Sequence, residues 1–585
     1  MVHSTLATSH GSSITVLGTE RVEHVLAAQF SETSISVTSQ SITDATPDDI
    51  IVVAQDVGAE QFTQAIEFSQ TNGTLLVTIE FGGIGGYALD AVDATVSVFP
   101  PTGPCYHCLQ TRLASADATE SSAVSYPAGT IEYATALAGS RLLQAEDRNA
   151  MGHGECIELP HHKRTILPVP GCQDCRSDRP DRAVPKAEWS EGTRTLEAAT
   201  RAGERAVDSR LGPITTIGEF TSIPLPYYLA TVVDTARFSE TTAPQQAAGV
   251  SQDWDVAFMK ALGEALERYA AGIYHKSEFR NATPAAIDTG LDPNDVVRPS
   301  NNEPITAEIP WVRGIELLDD RPCWLPAELV HFPPPSSDIR PAITTGLGLG
   351  NSMVAATIAG LTEVIERDAM MLSWYSSAKP MGVRIDDNEF DRLKRRAAIE
   401  SLDVTPILLT QDIDIPVIGV AVQREDEWPR VALGTAAALD ATDAAIGALE
   451  EAIQNWVELE NMGPERAASD ASRIAAYATD PSPLMDYLSP TASVSAAGIS
   501  HPVPDSPAAE LEVLESLIVE TDLSPAVSRI TPRDLEALGF EAVRVVDPNA
   551  QPLFTGDPYF GDRARSVPES FGETPHLDKT AHPFP

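Results

Sequence analysis

Residues 345–369 read TGLGLGNSMVAATIAGLTEVIERDA, a glycine-rich segment followed by an apolar stretch with the periodicity of a helix. Within the helical part, Glu363 and Glu366 are three positions apart, so both side chains lie on one helix face. The glycines that precede the helix permit a close approach of the backbone to a ligand. We therefore interpret this stretch as a helix with an acidic face, next to a segment that suits ligand contact.

The acidic pattern occurs twice more along the chain. Residues 261–268 read ALGEALER, and a weaker copy at residues 448–454 reads ALEEAIQ. The neighbouring positions are apolar or small, so some of the carboxylates should point into the protein, where they repel one another unless a cation compensates them. Arg268 and Arg367 cannot neutralise four or five glutamates, which leaves a divalent metal such as Mg²⁺. The alternative is a set of ordinary solvent-facing helix surfaces in an acidic protein.

The common nucleotide-binding motifs are missing from the sequence. It contains neither the P-loop pattern G-x-x-x-x-G-K-[ST] nor the H-R-D of protein kinases. If ATP binds to this chain, metal ions on the carboxylates must hold its phosphates.

The charge of the chain is strongly negative. Its 84 Asp and Glu residues outnumber 40 Lys and Arg residues, which gives a formal net charge of −44, and only seven of the basic residues are lysines. A dispersed acidic surface with little lysine is typical of proteins from cells with molar internal salt, where charges are screened over roughly 3 Å. The alternative is a protein that is merely acidic. The charge argues against a nucleic-acid partner. With no long apolar run and no secretory signal, we expect a cytoplasmic protein without a membrane partner.

The first hundred residues alternate short apolar runs with amphipathic stretches. Strands are predicted at Ser13–Gly18, Ile50–Gln55 and Thr74–Phe81, and helices at Val22–Phe30 and Glu60–Asn72. Strands separated by helices indicate an α/β unit with some parallel pairing. The four glycines between residues 82 and 86 do not match G-x-G-x-x-G, and we interpret them as a turn.

Four of the six cysteines form two C-x-x-C pairs, Cys105 with Cys108 and Cys172 with Cys175. Two short hooks that follow turn residues suit a tetrahedral Zn²⁺ held by four thiolates. The long separation between the pairs predicts a structural metal site that links two distant segments of one domain and has no catalytic role. The alternatives are reduced cysteines without metal, or a redox pair.

The length of 585 residues exceeds one ordinary core, so we expect two domains of the α/β or α+β class. The first covers residues 1–185 and carries the zinc site. Glu191–Arg210 have helical periodicity, and we predict a connecting helix over residues 186–210. Residues 211–585 form the larger domain, and its proline-rich end, Ser566–Pro585, predicts an extended tail.

At its acidic motifs the chain resembles the YcaO family, and within it the azoline-forming cyclodehydratases. The matching segments are residues 261–269, 309–330, 345–369, 434–454 and 543–554, in the order of the family. The N-terminal part, with PTGPCYHC and PGCQDC, is similar to the ubiquitin-activating-enzyme-like domain that accompanies such cyclodehydratases and serves in substrate binding. The chain departs from the family at Thr345, where many members have Asn, and at Trp456, where an Arg is frequent.

The resemblance implies an ATP-binding domain whose Mg²⁺ ions are held by glutamates. Carried over to this chain, the metal and nucleotide ligands are Glu264, Glu267, Glu363 and Glu366. Contacts to phosphate are implied for Arg268 and Arg367, and the site is completed by Glu451 and Gln454.

The implied activity is ATP-dependent ring formation at Cys, Ser or Thr residues of a ribosomally synthesised, bacteriocin-type peptide. Azoline-forming members place a proline-rich C-terminus at the active site, which implies a catalytic role for Pro583, Phe584 and Pro585. A homodimer is also implied, whereas the need for a separate leader-binding or sulfur-delivery partner stays open.

Other functions stay open at this level. One is thioamidation with a sulfur-delivery partner, or assistance in modifying a ribosomal protein. Another is a non-catalytic scaffold that docks a leader peptide, which would have no need of the acidic motifs. An adenylating enzyme is disfavoured by the missing glycine fingerprint in the N-terminal domain.

Overall fold

The computed structural model describes residues 13–116, 124–144, 154–160, 162–175, 182–192, 194–299, 303–425, 427–469 and 473–584. The structure is of the mixed α/β class that the sequence predicts.

An α/β unit occupies the N-terminal part of the chain. Its strands are β1 (Ser13–Leu17), β2 (Ser36–Ser39), β3 (Ile50–Asp56), β4 (Leu76–Phe81), β5 (Gly83–Ile84), β6 (Tyr87–Ala88), β7 (Ala94–Phe99), β8 (Gly154–Leu159) and β9 (His162–Ile166). Its helices are α1 (Glu20–Phe30), α2 (Glu60–Asn72), α3 (Tyr106–Ser115) and α4 (Thr130–Gln144). The main sheet has the order β2-β1-β3-β4-β7-β8-β9; it is parallel through β4 and antiparallel beyond.

The sequence predictions for this unit are confirmed. The predicted strands correspond to β1, β3 and β4, and the predicted helices to α1 and α2, with ends that differ by no more than two residues. The predicted glycine turn is the hairpin of β5 and β6. Its Gly85 and Gly86 donate their backbone N–H groups to the buried Glu80 carboxylate at 2.7 and 2.8 Å, so an internal carboxylate occupies this turn.

The connecting helix is shorter than the sequence periodicity predicts. Instead of a helix over residues 186–210, the structure has one 3₁₀ turn at Lys186–Glu188 and the helix α5 (Leu196–Glu204). The Thr195 hydroxyl accepts a hydrogen bond from Ala198 N and so caps α5 at its start. This cap starts the helix ten residues after the predicted boundary, which was wrong.

The larger part of the chain contains three further sheets. Their strands are β10 (Ile214–Thr221), β11 (Tyr227–Val232), β12 (Gln246–Val250), β13 (Arg280–Ala282), β14 (Ile309–Glu316), β15 (Arg321–Pro326), β16 (Leu347–Gly350), β17 (Met381–Arg384), β18 (Asp403–Leu408), β19 (Val417–Gln423), β20 (Val431–Ala437), β21 (Ser493–Ser495), β22 (Ala526–Arg529) and β23 (Glu541–Val546). The sheet orders are β10-β11-β12, β13-β14-β22-β23-β16 with β15 beside β14, and β20-β19-β18-β17-β21.

Ten helices of the described residues accompany these sheets. They are α6 (Trp254–Ala271), α7 (Ala327–Val330), α8 (Met353–Trp374), α9 (Asn388–Ala397), α10 (Ala441–Met462), α11 (Pro464–Ser469), α12 (Arg473–Thr479), α13 (Pro507–Ile518), α14 (Arg533–Leu538) and α15 (Arg563–Ser570). Three of them are central, because α6 packs on β11 and β12, α8 on β16 and β23, and α10 on β19 and β20. These are the helices that carry the acidic motifs.

Each central helix is capped and drawn close to one strand. The side chains of Asp253, Ser352 and Asp440 each accept a backbone N–H of the first turn within 3.2 Å. On the strands, a Cβ atom at Gly249, Gly348 or Gly434 would lie 2.1, 2.1 or 2.3 Å from backbone atoms of the packed helix. Only glycine permits such a close approach of strand to helix. The spacing of the three strand–helix pairs therefore depends on these contacts.

The predicted extended tail begins later than the sequence suggests, because residues up to Ser570 are helical in α15. The first residue of α15, Arg563, is 1% exposed and forms ion pairs of 2.7 Å with Asp368 on α8 and with Asp412. These pairs pin the helix to the core in spite of Pro568, which sits inside it. The prediction of an extended chain over residues 566–570 was wrong for this reason.

A buried polar cluster joins the N-terminal unit to the larger part. Arg112 on α3 forms an ion pair with Asp534 on α14, and both side chains are fully buried. The Tyr269 hydroxyl on α6 donates to the same carboxylate at 2.5 Å. Arg112 thereby ties α3 to the helix that bears Glu264 and Glu267.

Among the helices of the described residues, none is both long and apolar enough to cross a membrane.

We predict that Arg112→Met lowers the free energy of unfolding by about 3–5 kcal/mol, because it leaves the buried Asp534 carboxylate without its cation. Urea unfolding measures this effect. The control Arg201→Met removes an exposed guanidinium with 66% of its side-chain surface in solvent, and should change stability little. A double variant with Asp534→Leu should recover part of the loss; if it adds a further loss, the charge explanation is contradicted.

Candidate functional site

The three acidic motifs are held to their strands in the same way. In each pair, the first acidic residue of the i, i+3 motif accepts a hydrogen bond from backbone of the paired strand or of the residue directly before that strand. The bonds are Ala248 N to Glu264 Oε2 (2.7 Å), Gly346 N to Glu363 Oε2 (3.0 Å) and Thr435 N to Glu451 Oε2 (2.5 Å). Hydrogen bonds to a charged acceptor are strong and directional. They fix the three carboxylates toward one shared space.

That space is a cavity of about 850 Å³ between α6, α8 and α10. Seven of the eight residues that the resemblance implies for the nucleotide site line it, namely Glu264, Glu267, Arg268, Glu363, Arg367, Glu451 and Gln454. The eighth, Glu366, is absent from that lining and accepts a 2.5 Å hydrogen bond from the Thr435 hydroxyl. Its Oε1 is 3.9 Å from Arg367 Nε, so it supports a lining arginine.

Burial and mutual repulsion change the pKa values of these carboxyls. Desolvation raises the pKa of Glu267 to about 8, and the nearby charges of Glu363 and Glu264 add to this rise. Desolvation likewise raises the pKa of Glu264, Glu363 and Glu451. Such a cluster binds a cation favourably, because the cation removes the repulsion that burial has strengthened.

The arrangement suits magnesium that is shared with phosphate oxygens. Among the described residues, the four cysteines bring their ligand atoms close enough together to hold a metal by themselves. The glutamates are instead spread around the cavity. Mg²⁺ is usually bound by one or two carboxylates together with waters and substrate phosphates, and seldom by an all-protein cage. Arg367 and Arg268 lie beside these carboxylates, where a guanidinium can contact a phosphate.

Sequence reasoning missed several lining residues, namely Glu458, Asn455, Asn461 and Arg466. Glu458 could have been found, because it lies four residues after Gln454 on the same helix face and accepts a 3.1 Å hydrogen bond from it. Arg466 belongs to the separate helix α11, and the motif spacing carries no signal for it.

A buried arginine supports the cavity from outside its lining. Arg544 donates to Thr344 O at 2.7 Å and to Ile343 O at 2.8 Å, and both of these residues line the cavity. Burial, together with the charge of the neighbouring Arg340, lowers the pKa of Arg544 to about 10.

The two departures from the family pattern have different positions. Thr345 lines the cavity, so the substitution changes its surface. Trp456 turns away from the cavity into the core, with 1% of its surface exposed and the Arg424 guanidinium 4.9 Å above its ring.

The C-terminal segment is packed against the core next to the cavity. The Trp374 indole donates to Thr580 O at 2.9 Å, and Phe584 is 1% exposed. His582 Nε2 lies 2.7 Å from Phe554 O, and the neighbours of Phe554 in sequence, Leu553 and Thr555, line the cavity. The segment with Pro583 therefore runs behind one cavity wall. Pro585 lies outside the described residues.

A lysine fastens this segment at its start. Lys579 Nζ donates to Trp374 O at 2.8 Å and lies 3.7 Å above the indole ring of the same residue. The Tyr487 ring is 5.2 Å away on another side. Hydrogen bond and cation–π contact together stabilise the approach of the chain to Phe584.

The four predicted zinc ligands come together where α3 meets the loop after β9. The sulfur atoms of Cys105, Cys108, Cys172 and Cys175 lie within 4.8 Å of one another, with measured separations of 3.9, 3.7 and 3.2 Å. A zinc ion with Zn–S bonds of about 2.3 Å in a tetrahedron requires sulfurs about 3.8 Å apart. Val169 N also donates to Cys108 Sγ at 3.2 Å, as expected of a thiolate ligand. The donor set and its spacing fit zinc.

Comparisons with known proteins agree with the site geometry. Residues 248–551 match the family model described as YcaO cyclodehydratase, ATP- and Mg²⁺-binding. An uncharacterized protein of Methanothermobacter thermautotrophicus is 31% identical over 208 residues, which cover 33% of this chain and 53% of that protein. An uncharacterized protein in the tfuA 3′ region of Rhizobium leguminosarum bv. trifolii is 28% identical over 241 residues, which cover 37% and 56%. The chain thus spans about half the length of these curated relatives.

Two solved structures share the fold over 96% of this chain. A heterocyclase in complex with substrate and cofactor has a TM-score of 0.68 at 17% identity, and 83% of that chain is covered. The heterocyclase TruD has a TM-score of 0.59 at 18% identity, with 82% of that chain covered. At such identities the likeness establishes the shared fold, including the N-terminal unit.

We predict that the stability difference between the metal-free wild type and Glu267→Gln depends on pH. The folded-state pKa of about 8 exceeds the ordinary 4.5, so the native state loses stability as pH rises through this window. The variant should match the wild type at about pH 5 and exceed it by about 1–3 kcal/mol at about pH 9. Thermal unfolding in a chelator measures this, with the exposed Glu197→Gln as control. A pH-independent difference would contradict the prediction.

We also predict that Cys172→Ser abolishes zinc binding and lowers the free energy of unfolding by at least about 3 kcal/mol, because structural zinc contributes directly to folding. Elemental analysis and urea unfolding measure the two effects. Cys156→Ser is the matched control, since Cys156 is buried but lies outside the cluster. Wild-type protein purified without zinc would refute the assignment.

Proposed function

Because the chain belongs to the YcaO family, we propose that it is an ATP- and Mg²⁺-dependent cyclodehydratase that forms azoline rings at Cys, Ser or Thr residues of a ribosomally synthesised peptide. The observation that carries this proposal is the cavity in which carboxylates from three helices converge with Arg268 and Arg367. A peptide-docking scaffold has no use for such a costly collection of buried charge, which favours catalysis.

The proposed chemistry begins on the peptide. The thiol or hydroxyl of the substrate residue loses its proton to solvent as its sulfur or oxygen adds to the carbonyl carbon of the preceding amide. The resulting oxyanion takes the γ-phosphoryl group of ATP with release of ADP. The former amide nitrogen then expels phosphate and loses its proton, which leaves a C=N bond in the ring. The net change is the loss of one water from the peptide, whose oxygen leaves in phosphate.

The residues of the cavity would serve positioning and charge neutralisation. Glu264, Glu267, Glu363 and Glu451 would hold magnesium, which when bound neutralises charge on the phosphates. Arg367 would contact the transferred phosphoryl group, and Gln454 would complete the nucleotide contacts. Glu366 would act by orienting Arg367, from which its oxygen is 3.9 Å away.

We propose that the C-terminal segment of Pro583, Phe584 and Pro585 contributes to the reaction at the peptide. Its path behind Phe554, whose neighbours line the cavity, supports this placement. A segment fastened by Lys579 and the Trp374 indole can present its end to the substrate with little further loss of conformational entropy.

The remaining parts of the proposal concern the surroundings of the enzyme. The N-terminal unit would dock the substrate, with its zinc as a structural element, and a separate leader-binding partner and a homodimer fit the same function. We also propose a cytoplasmic location in a salt-rich cell, which the net charge of −44 supports. Thioamidation with a sulfur donor is the competing product chemistry.

We predict that the purified chain, given ATP, Mg²⁺ and a Cys-containing candidate peptide, releases phosphate and yields peptide that has lost one water per ring. Glu363→Gln should reduce the rate at least about 100-fold, because it removes a charge that holds metal beside the phosphates. Mass spectrometry and phosphate release measure both, with the exposed Glu197→Gln as control. Oxygen-to-sulfur exchange in the product would indicate thioamidation, and no ATP consumption with any candidate peptide would favour the scaffold.

A further inference from the structure

A second cleft, of about 490 Å³, lies where the cysteine loop meets the larger part of the chain. We call it the arginine cleft, because its lining includes Arg182, Arg313, Arg529 and Arg533. In a chain with 84 acidic and 40 basic residues, four arginines around one concavity are an exception. Among the described residues that line the cleft, Glu278 is the single acidic side chain.

Two of the arginines are engaged with carboxylates, and two stand apart from them. Arg529 pairs with Glu541 at 2.7 Å, and Arg182 pairs with Glu278 at 3.1 Å. The guanidinium of Arg313 instead lies 4.8 Å above the Trp324 ring. Within the described part of the chain, no ion pair includes Arg313 or Arg533. The cleft therefore presents positive charge to a ligand.

The arginine cleft and the glutamate cavity share a wall. Arg182 in the cleft lies 2.9 Å from His331 Nε2, and the next residue, Phe332, lines the cavity. Both spaces also border one continuous stretch of chain, because Glu267 on α6 lines the cavity and Ile273, two residues after the end of α6, lines the cleft. At about 1.5 Å per helical residue, Glu267 and Ile273 are on the order of 10 Å apart along α6 and its extension. Three or four extended peptide residues span such a distance.

We propose that the arginine cleft binds an acidic segment of the peptide substrate and so delivers a neighbouring residue to the glutamate cavity. The inference rests on the proposed function for the identity of the ligand. Arginine forks recognise carboxylates in bidentate geometry, and the Trp324 and Tyr274 rings suit the apolar parts of a peptide. A nucleic acid fits less well, because its phosphates would extend from this small cleft onto an acidic surface.

The test measures binding of a fluorescein-labelled hexaglutamate peptide to the full chain by anisotropy, without ATP. We expect tighter binding than of a labelled hexaserine peptide, and a loss of about tenfold in Arg313→Glu and in Arg533→Glu, the loss that follows from one charge-assisted hydrogen bond. Arg201→Glu is the matched control, since it reverses an exposed arginine on α5 and should leave binding unchanged. Arg313→Gln and Arg533→Gln remove the charge without reversing it and should give intermediate affinities. Such graded losses would show that charge, and not misfolding, causes the effect.

Equal affinity in the wild type and the cleft variants would overturn the proposal, as would a labelled oligoribonucleotide that binds more tightly than the acidic peptide. The outcome is independent of catalysis. If Arg313→Glu and the wild type form rings on acidic substrates at equal rates, the cleft proposal is refuted and the proposed reaction stands. If no rings form, but the wild type binds hexaglutamate and the variants do not, the proposed reaction is refuted and the cleft remains a peptide-binding site.

Discussion

The hydrogen bond from backbone in or directly before a strand to the first acidic residue of each i, i+3 motif is the interaction on which the rest of the structure depends. It occurs at Glu264, Glu363 and Glu451, and it requires the helix to approach its strand at a glycine. Without it, three like charges would turn outward into solvent, where their repulsion is small. With it, they face one another across a cavity in which a cationic ligand relieves their repulsion.

The remaining charge of the protein is arranged around this constraint. Arginine is used almost everywhere that a cation is buried, as in Arg563 with Asp368 and Asp412. The guanidinium stays charged when buried and reaches two carboxylates at once, which an ammonium group does less well. A chain with seven lysines and a net charge of −44 can thus neutralise its interior carboxylates while its surface stays acidic.

The helix α3 is one of the elements that join the N-terminal unit to the larger part of the chain. In α3, Cys108 belongs to the sulfur cluster, and Arg112, one turn later, contacts Tyr269 and Asp534 of the larger part. Tyr269 is two residues beyond Glu267 on α6. A rigid sulfur cluster therefore sets the position of the helix that carries two of the cavity carboxylates, and the arginine cleft lies at this same junction.

The sequence by itself determined three strands and two helices of the first hundred residues, the grouping of the four cysteines and the helices that bear Glu264, Glu363 and Glu451. These features depend on local periodicity and short spacings, which a linear pattern records. The tertiary structure alone decided that Glu366 contacts Thr435 and Arg367, that Trp456 enters the core, and that residues 566–570 are helical. Each of these depends on partners distant in sequence, and the energy of a buried contact is set by those partners and not by the local residue pattern.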